Sequence, residues 1–156
     1  MTIYLGADHR GFAMKEKLKT ALASDGYNVI DCGAMTLDET DDYPDYARAV
    51  AEAVGKNPGA GGDNDSDRGI LICGSGIGID IAANKFPGIR CALAALPGQI
   101  STARHDDNVN VLAIAADFTD EETAAKLLKT FLATPFAKEE RYRRRLDKIA
   151  RFEQQN

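Results

Sequence analysis

GILICGSGIGIDIAANKF, residues 69–86, joins an apolar run, a cysteine, a broken string of glycines and a second apolar-periodic stretch without a spacer. Gly69–Cys73 is short, continuous and apolar, as a strand buried on both faces must be. Gly74, Gly76 and Gly78 then break the chain, and the segment from Gly76 to Phe86 reads as a helix entered through glycines. A strand that turns directly into a helix is half of a βαβ unit, so the neighbouring sequence should alternate in the same way.

It does. Before this stretch, TIYLGA (Thr2–Ala7) reads as a strand and is followed by a helix with Met14, Leu18, Ala21 and Leu22 on one face. YNVIDCG (27–33) is a second strand closed by Gly33, and DYPDYARAVAEAV (42–54) a second helix with Pro44 in its first turn. After it come IRCALAAL (89–96) as a strand, a short helix from Pro97 to about Asp106, and NVLAIAA (110–116) as the fifth strand. DFTDEETAAKLLKTFLATP (117–135) is a capped helix ending near Pro135, and KEERYRRRLDKIARFEQ (138–154) a basic terminal helix. Such alternation predicts an α/β fold: a five-stranded parallel sheet with helices on both faces, joined by right-handed crossovers, and a C-terminal helix. KNPGAGGDNDSDRG (56–69) is rich in Gly, Asn and Asp and reads as a surface loop inserted before the third strand.

The 156 residues suit a single domain spanning 1–156 with a sizeable core. A net charge of −5 gives no reason to expect nucleic acid or an anionic membrane surface as partner. The three cysteines, Cys32, Cys73 and Cys91, form no CxxC pair and have no histidine at metal-ligand spacing, which argues against disulfides and zinc. With no basic leader and no run approaching ~20 apolar residues, the expectation is a reduced, cytoplasmic protein.

In open parallel sheets, ligands bind outside the carboxyl ends of the strands. The first strand delivers Asp8 and His9 there, the second leads to TDDYPDY, and the third ends in Cys73. A cysteine closing an apolar run is ordinarily a small buried hydrophobe, which is the reading for Cys32 and Cys91. Cys73 differs because a glycine turn opening a helix would set its thiol beside unpaired amides and the positive end of a helix dipole, both favouring thiolate. The same glycines let the backbone approach a phosphate or an oxyanion, or merely tighten a corner. The pattern is GxGxG, not the GxGxxG of a dinucleotide fold, and Arg90 and Ala92 stand about where a ribose-binding acid belongs, ~20 residues on. A Cys-x5-Arg phosphatase loop needs arginine where Ile79 stands. In the terminal helix Arg141 and Arg145, spaced i and i+4, share a face and form a forked anchor suited to phosphate, though such runs are commonly solvated faces.

GADHRGFAMKEKLK, DYPDYA, GILICGSGIGIDIAANKFPGIR, NVL and RYRRRLDKI resemble, in that order, the type B ribose-5-phosphate isomerase family, which includes galactose-6-phosphate isomerase subunits. The resemblance implies a cofactor-free aldose–ketose isomerase with no metal, built as a three-layer α/β/α Rossmann-like sandwich. It also implies a homodimer or tetramer whose active sites combine residues of two subunits. Carried over by position, Cys73 matches the base that moves a proton between C1 and C2 through a cis-enediolate, and Ser75 a hydroxyl assisting it. The amides from Gly74 through Gly76, Ile77 and Gly78 match the hole for the enediolate oxygens. Asp8 matches a residue handling the sugar hydroxyls or ring oxygen, Tyr43 a pocket wall, and His9, Arg141 and Arg145 the phosphate ligands. Where the family carries ARxHNDANVL, this chain has ARHDDNVNVL, so Asp106 occupies the place of the ring-opening histidine, His105 stands one residue early, and Asp107 replaces a substrate-touching asparagine. Ring opening therefore falls to His105 or to Asp106, or the sugar enters already open. A phosphorylated pentose leads as substrate; the alternatives are a hexose or rarer sugar phosphate, or a sugar-phosphate-binding protein with little turnover.

Overall fold

The computed structural model describes residues 1–56 and 66–155. The elements are β1 (Thr2–Ala7), α1 (Phe12–Ser24), β2 (Asn28–Asp31), α2 (Tyr43–Gly55), β3 (Arg68–Cys73), α3 (Ile77–Ala83), β4 (Cys91–Leu93), α4 (Pro97–Asp107), β5 (Val111–Ala115), α5 (Glu121–Ala133) and α6 (Glu140–Glu153). The strands form one sheet in the order β2-β1-β3-β5-β4, every pairing parallel. This is the expected α/β architecture.

Period-two alternation splits the strand residues between two layers. Ile70, Ile72, Leu112 and Ile114 meet Leu18 of α1, Ile100 of α4 and Phe131 of α5 on one face. Leu71, Cys73, Val111 and Ala113 meet Val50 and Val54 of α2 and Ile79 of α3 on the other. The central strand β3 is buried at every residue, as a strand covered on both sides must be.

Several boundaries differ from the sequence expectation, for local reasons. β4 is limited to Cys91–Leu93 because it is an edge strand, half-buried throughout and pairing only with β5. The third helix ends at Ala83, where Asn84 turns back to donate to the Cys91 carbonyl at 3.0 Å. β3 begins at Arg68: Asp67 accepts the Thr2 amide at 2.7 Å, and Ser66 and Asp67 are buried instead of exposed. Residues 57–65 of the predicted surface loop lie outside the described residues.

In α1 the buried stripe is Lys15, Leu18 and Leu22, with Ala21 exposed. Lys15 is fully buried because its ammonium donates to both Asp31 carboxylate oxygens, at 2.8 and 2.7 Å, and to the Ala34 carbonyl at 2.8 Å. A buried cation paired and hydrogen-bonded in this way avoids most of its desolvation cost. It also ties the end of β2 to α1, below the loop that carries part of the site.

Candidate active site

The chain leaves β1 for β2 on one side and reaches β3 on the other, so the crevice above β1 and β3 is the topological switch point where such sheets bind ligands. Register fixes what stands there. Ala7 pairs with Ile72 and Cys73 with Ala115, which sets Asp8 beside Cys73 on the rim. Asp8 is 5% exposed, and its Oδ1 accepts the amides of Arg10 and Gly11, both at 3.0 Å, closing the turn into α1. Burial raises its pKa, with those amides opposing.

Cys73 is 4% exposed. Amides of Ile79, Gly76 and Ser75 address its sulfur and favour thiolate, but burial outweighs them and the Asp8 carboxylate adds to it, so the thiol pKa lies above its ordinary value. This corrects the sequence expectation: α3 has only seven residues and a correspondingly small dipole, and a dry pocket disfavours charge. It also gives the amides of Ser75 and Gly76 a first task, holding the sulfur. Gly76 sits at φ 72°, where a Cβ would lie 2.5 Å from Leu93 Cδ1, so only glycine makes this corner. Gly78 is required by close approach, since a Cβ there would lie 2.7 Å from the Tyr43 ring. Tyr43 thus lies against the turn as a wall, and Ile77 beside it is 55% exposed. Ser75 Oγ accepts weakly from the Ile77 amide at 3.4 Å. Asp80 faces away, towards Asn84 at 3.2 Å and Cys91, and does not compete with Cys73 for the crevice. Cys32 and Cys91 are half-buried against the second apolar cluster.

His9 is held by a carboxylate the sequence reading passed over. Asp41 Oδ1 accepts the His9 amide at 2.9 Å and meets its ring Nδ1 at 2.7 Å, while Asp41 Oδ2 accepts the Tyr46 hydroxyl at 2.9 Å. The Asp41 bond raises the His9 pKa, and burial followed by the Asp41 bond pushes Tyr46 up to about 12. Both residues lie within TDDYPDY, but a sequence cannot say which acid in such a run turns inward. Arg10 was passed over too: its guanidinium lies across Gly74 and pairs with Asp117, just after β5.

The remaining predicted residues stand elsewhere. α4 starts at the carboxyl edge and runs back, so its last turn lies ~16 Å away at the amino edge. There His105 Nδ1 meets Asp106 Oδ1 at 2.6 Å, and the His105 ring packs edge-on to Tyr142 at 5.7 Å. Tyr142 also bonds Asp106, holding its carboxyl below the usual range after the larger effect of His105. Arg141 lies over the Tyr142 ring at 4.5 Å and donates to its hydroxyl at 2.7 Å, with Arg145 5.8 Å from the same ring. Asp107 is exposed and lines a cleft of about 460 Å³ with Ile149 and Phe152 of α6. One copy therefore brings together Asp8, His9, Tyr43 and Cys73–Gly78, and holds His105, Asp106, Asp107, Arg141 and Arg145 apart from them.

Residues 3–149 match the model of a family described as ribose/galactose isomerase. The chain belongs to the ribose/galactose isomerase family. It is 39% identical over 153 residues to a probable ribose-5-phosphate isomerase B of Mycoplasma genitalium, covering 98% of this chain and 96% of that one. It is 39% identical over 152 residues to ribose-5-phosphate isomerase B of Escherichia coli, covering 97% and 96%. The crystal structure of the Mycoplasma genitalium enzyme with bound ribulose-5-phosphate superposes with a TM-score of 0.91 at 38% identity, covering 99% of this chain and 97% of that one. The structure of the Clostridium thermocellum ribose-5-phosphate isomerase B gives 0.90 at 37%, covering 99% of each. Both solved structures share the overall fold described above. Among the described residues, no helix is long and apolar enough to cross a membrane, and no three His, Cys, Asp or Glu side chains converge as a metal site.

Proposed function

We propose that this protein isomerises a phosphorylated aldose to the corresponding ketose, ribose 5-phosphate to ribulose 5-phosphate, in the cytoplasm. The observation that carries the reading is Cys73, seated at the switch point with amides of Ser75, Gly76 and Ile79 on its sulfur and Asp8 beside it on the rim. With the open-chain aldose in the crevice, the Cys73 thiolate takes the proton from C2. The C–H electron pair becomes the C1=C2 bond of a cis-enediolate, and charge collects on O1. The proton on O2 passes to O1, Cys73 returns its proton to C1, and the ketone forms at C2. Electrons move only from C2 to C1, so no external oxidant or reductant is consumed.

The raised pKa keeps Cys73 protonated at rest, so its proton must leave to solvent before the sugar fills the crevice, and the amides of Ile79, Gly76 and Ser75 are what favour the thiolate at that moment. The turn amides at Ile77 and Gly78 take the enediolate oxygens, and Ser75 assists Cys73. Asp8 handles the sugar hydroxyls or ring oxygen, Tyr43 walls the pocket and His9 binds phosphate. Arg141, Arg145 and one of His105 or Asp106 enter from a second copy, because the amino edge that bears them cannot reach its own crevice. This supports a homodimer or larger assembly with shared sites.

The test is conversion of ribose 5-phosphate, followed beside several hexose and pentose phosphates. Turnover of one of them is expected. Tight binding without conversion of any would make the protein a sugar-phosphate binder instead.

His9 adds a pH signature. Its pKa is raised by the Asp41 bond, so the cationic, phosphate-binding form is complete below the ordinary histidine value and is lost only as pH rises through the higher bound value. Affinity for phosphorylated sugars should persist to higher pH than an ordinary histidine would allow and weaken beyond that. Asp41→Asn is expected to move that loss towards lower pH; comparing variant and wild type on one ligand cancels the ligand's own ionisation. An unmoved profile would remove His9 from the phosphate site.

A further inference from the structure

A histidine and an arginine leave the turn after β1, and each is held by a carboxylate that follows a different strand of the sheet. His9 is paired with Asp41, which follows β2, and Arg10 with Asp117, which follows β5. The turn itself is rigid: Asp8 Oδ1 holds the Arg10 and Gly11 amides, and Asp41 holds the His9 amide. The Asp117 amide donates to the Gly74 carbonyl at 3.0 Å, and the Arg10 guanidinium covers Gly74, the residue after Cys73. A Cβ at Gly74 would lie 2.4 Å from Arg10 Nε, so glycine is what admits the guanidinium there.

Accepting the isomerase reading above, we propose that Arg10 is a second phosphate ligand on the cysteine side of the crevice, and that Asp117 parks its guanidinium until the sugar phosphate displaces the carboxylate. The Arg10 side chain is 56% exposed and Asp117 31%, so the pair is wet and weak enough to exchange. Phosphate is the fitting competitor because it carries more charge than one carboxylate and matches the planar fork of a guanidinium. The other side of Arg10 opens on a cleft of about 340 Å³ between α1 and α5, lined by Lys17, Asp120 and Glu121, where Lys17 pairs with Glu121 and Asp120 caps α5. The charges of that cleft are already matched among themselves, whereas the edge towards His9 and the glycine turn faces the crevice that takes the sugar phosphate in the reading above.

The exchange makes a prediction of opposite signs. Removing the cation must weaken phosphate, whereas removing its competitor must strengthen it. In a pair serving only as a structural brace, both substitutions act in the same direction. The dissociation constant of inorganic phosphate, measured by calorimetry on the whole chain, reads this whether or not the protein turns a sugar over, and the KM for ribose 5-phosphate reads it in the active enzyme. Arg10→Met is expected to weaken both about tenfold, Arg10→Lys to recover part of the loss, and Asp117→Asn to tighten phosphate several-fold. Melting temperatures of each variant separate these shifts from damage to the fold. Indifference to both substitutions, weakening by both, or a fall in kcat with phosphate affinity unchanged would overturn the role of Arg10. Failure of the wild type to isomerise any sugar phosphate would overturn the isomerase reading instead, with the phosphate titration still deciding whether Arg10 binds the anion.

Discussion

Cys73→Ala is expected to lower aldose–ketose turnover by about 10²–10⁴-fold, the range a positioned proton-transfer group supplies, while leaving sugar-phosphate binding within a few-fold of wild type. The sulfur is addressed by amides of Ser75, Gly76 and Ile79, and the carboxylate of the same loop, Asp80, is turned away from it towards Asn84 and Cys91. Alanine removes a buried atom, so some stability is lost with it; Cys73→Ser keeps the volume and most of the fold but replaces a thiol with a far weaker acid, and should be nearly as inactive. Calorimetric binding of ribose 5-phosphate to both variants distinguishes a missing base from a collapsed pocket. Because the resting thiol is buried and its pKa raised, iodoacetamide should label it slowly in the folded protein and rapidly after unfolding. Retained turnover in both variants would return Cys73 to the apolar core.

The second large effect is recovery of activity from two dead proteins. Cys73→Ala lacks the base, and Arg141→Ala/Arg145→Ala lacks the anchoring pair, which should cost at least about 10²-fold in kcat/KM if two charge-assisted contacts are lost. When the two are unfolded together and refolded, each site draws its crevice from one chain and its arginines from another at random. About a quarter of sites then regain both intact halves, and activity should rise to about a quarter of wild type. A mixture no more active than the sum of its parents would show that each crevice is complete within one chain.

The sheet was legible because parallel strands buried on both faces must be short apolar runs, and Ile70, Leu71 and Ile72 have no other use. Glycines announced the corner at Gly76, where a side chain has nowhere to go. Lys15 was not legible as a core residue, since its burial depends on Asp31 arriving from another element, and apolar counting assigned Ala21 to the face that Lys15 occupies. β4 was overestimated because an edge strand ends where its only neighbour stops pairing, which composition does not show. At the site, Asp8, His9 and Cys73 could be placed from the rule for strand ends. Asp41 and Asp117 could not, because each acts through a partner distant in sequence, and Tyr46 takes its place only through Asp41. Nor could the sequence reveal that His105 and Arg141 lie at the far edge from Cys73; that follows from the direction in which α4 runs.

That separation bears on how substrate choice can change. The bond-making end is locked into the central strand, where almost any substitution disturbs packing, whereas Arg141 and Arg145 ride on a surface helix docked through Tyr142. If the site is shared between two copies, as proposed, the accepted chain length of the sugar is a spacing between two molecules. A small slide along their contact would retune it for a longer or shorter carbon skeleton, with no residue of the reacting centre replaced.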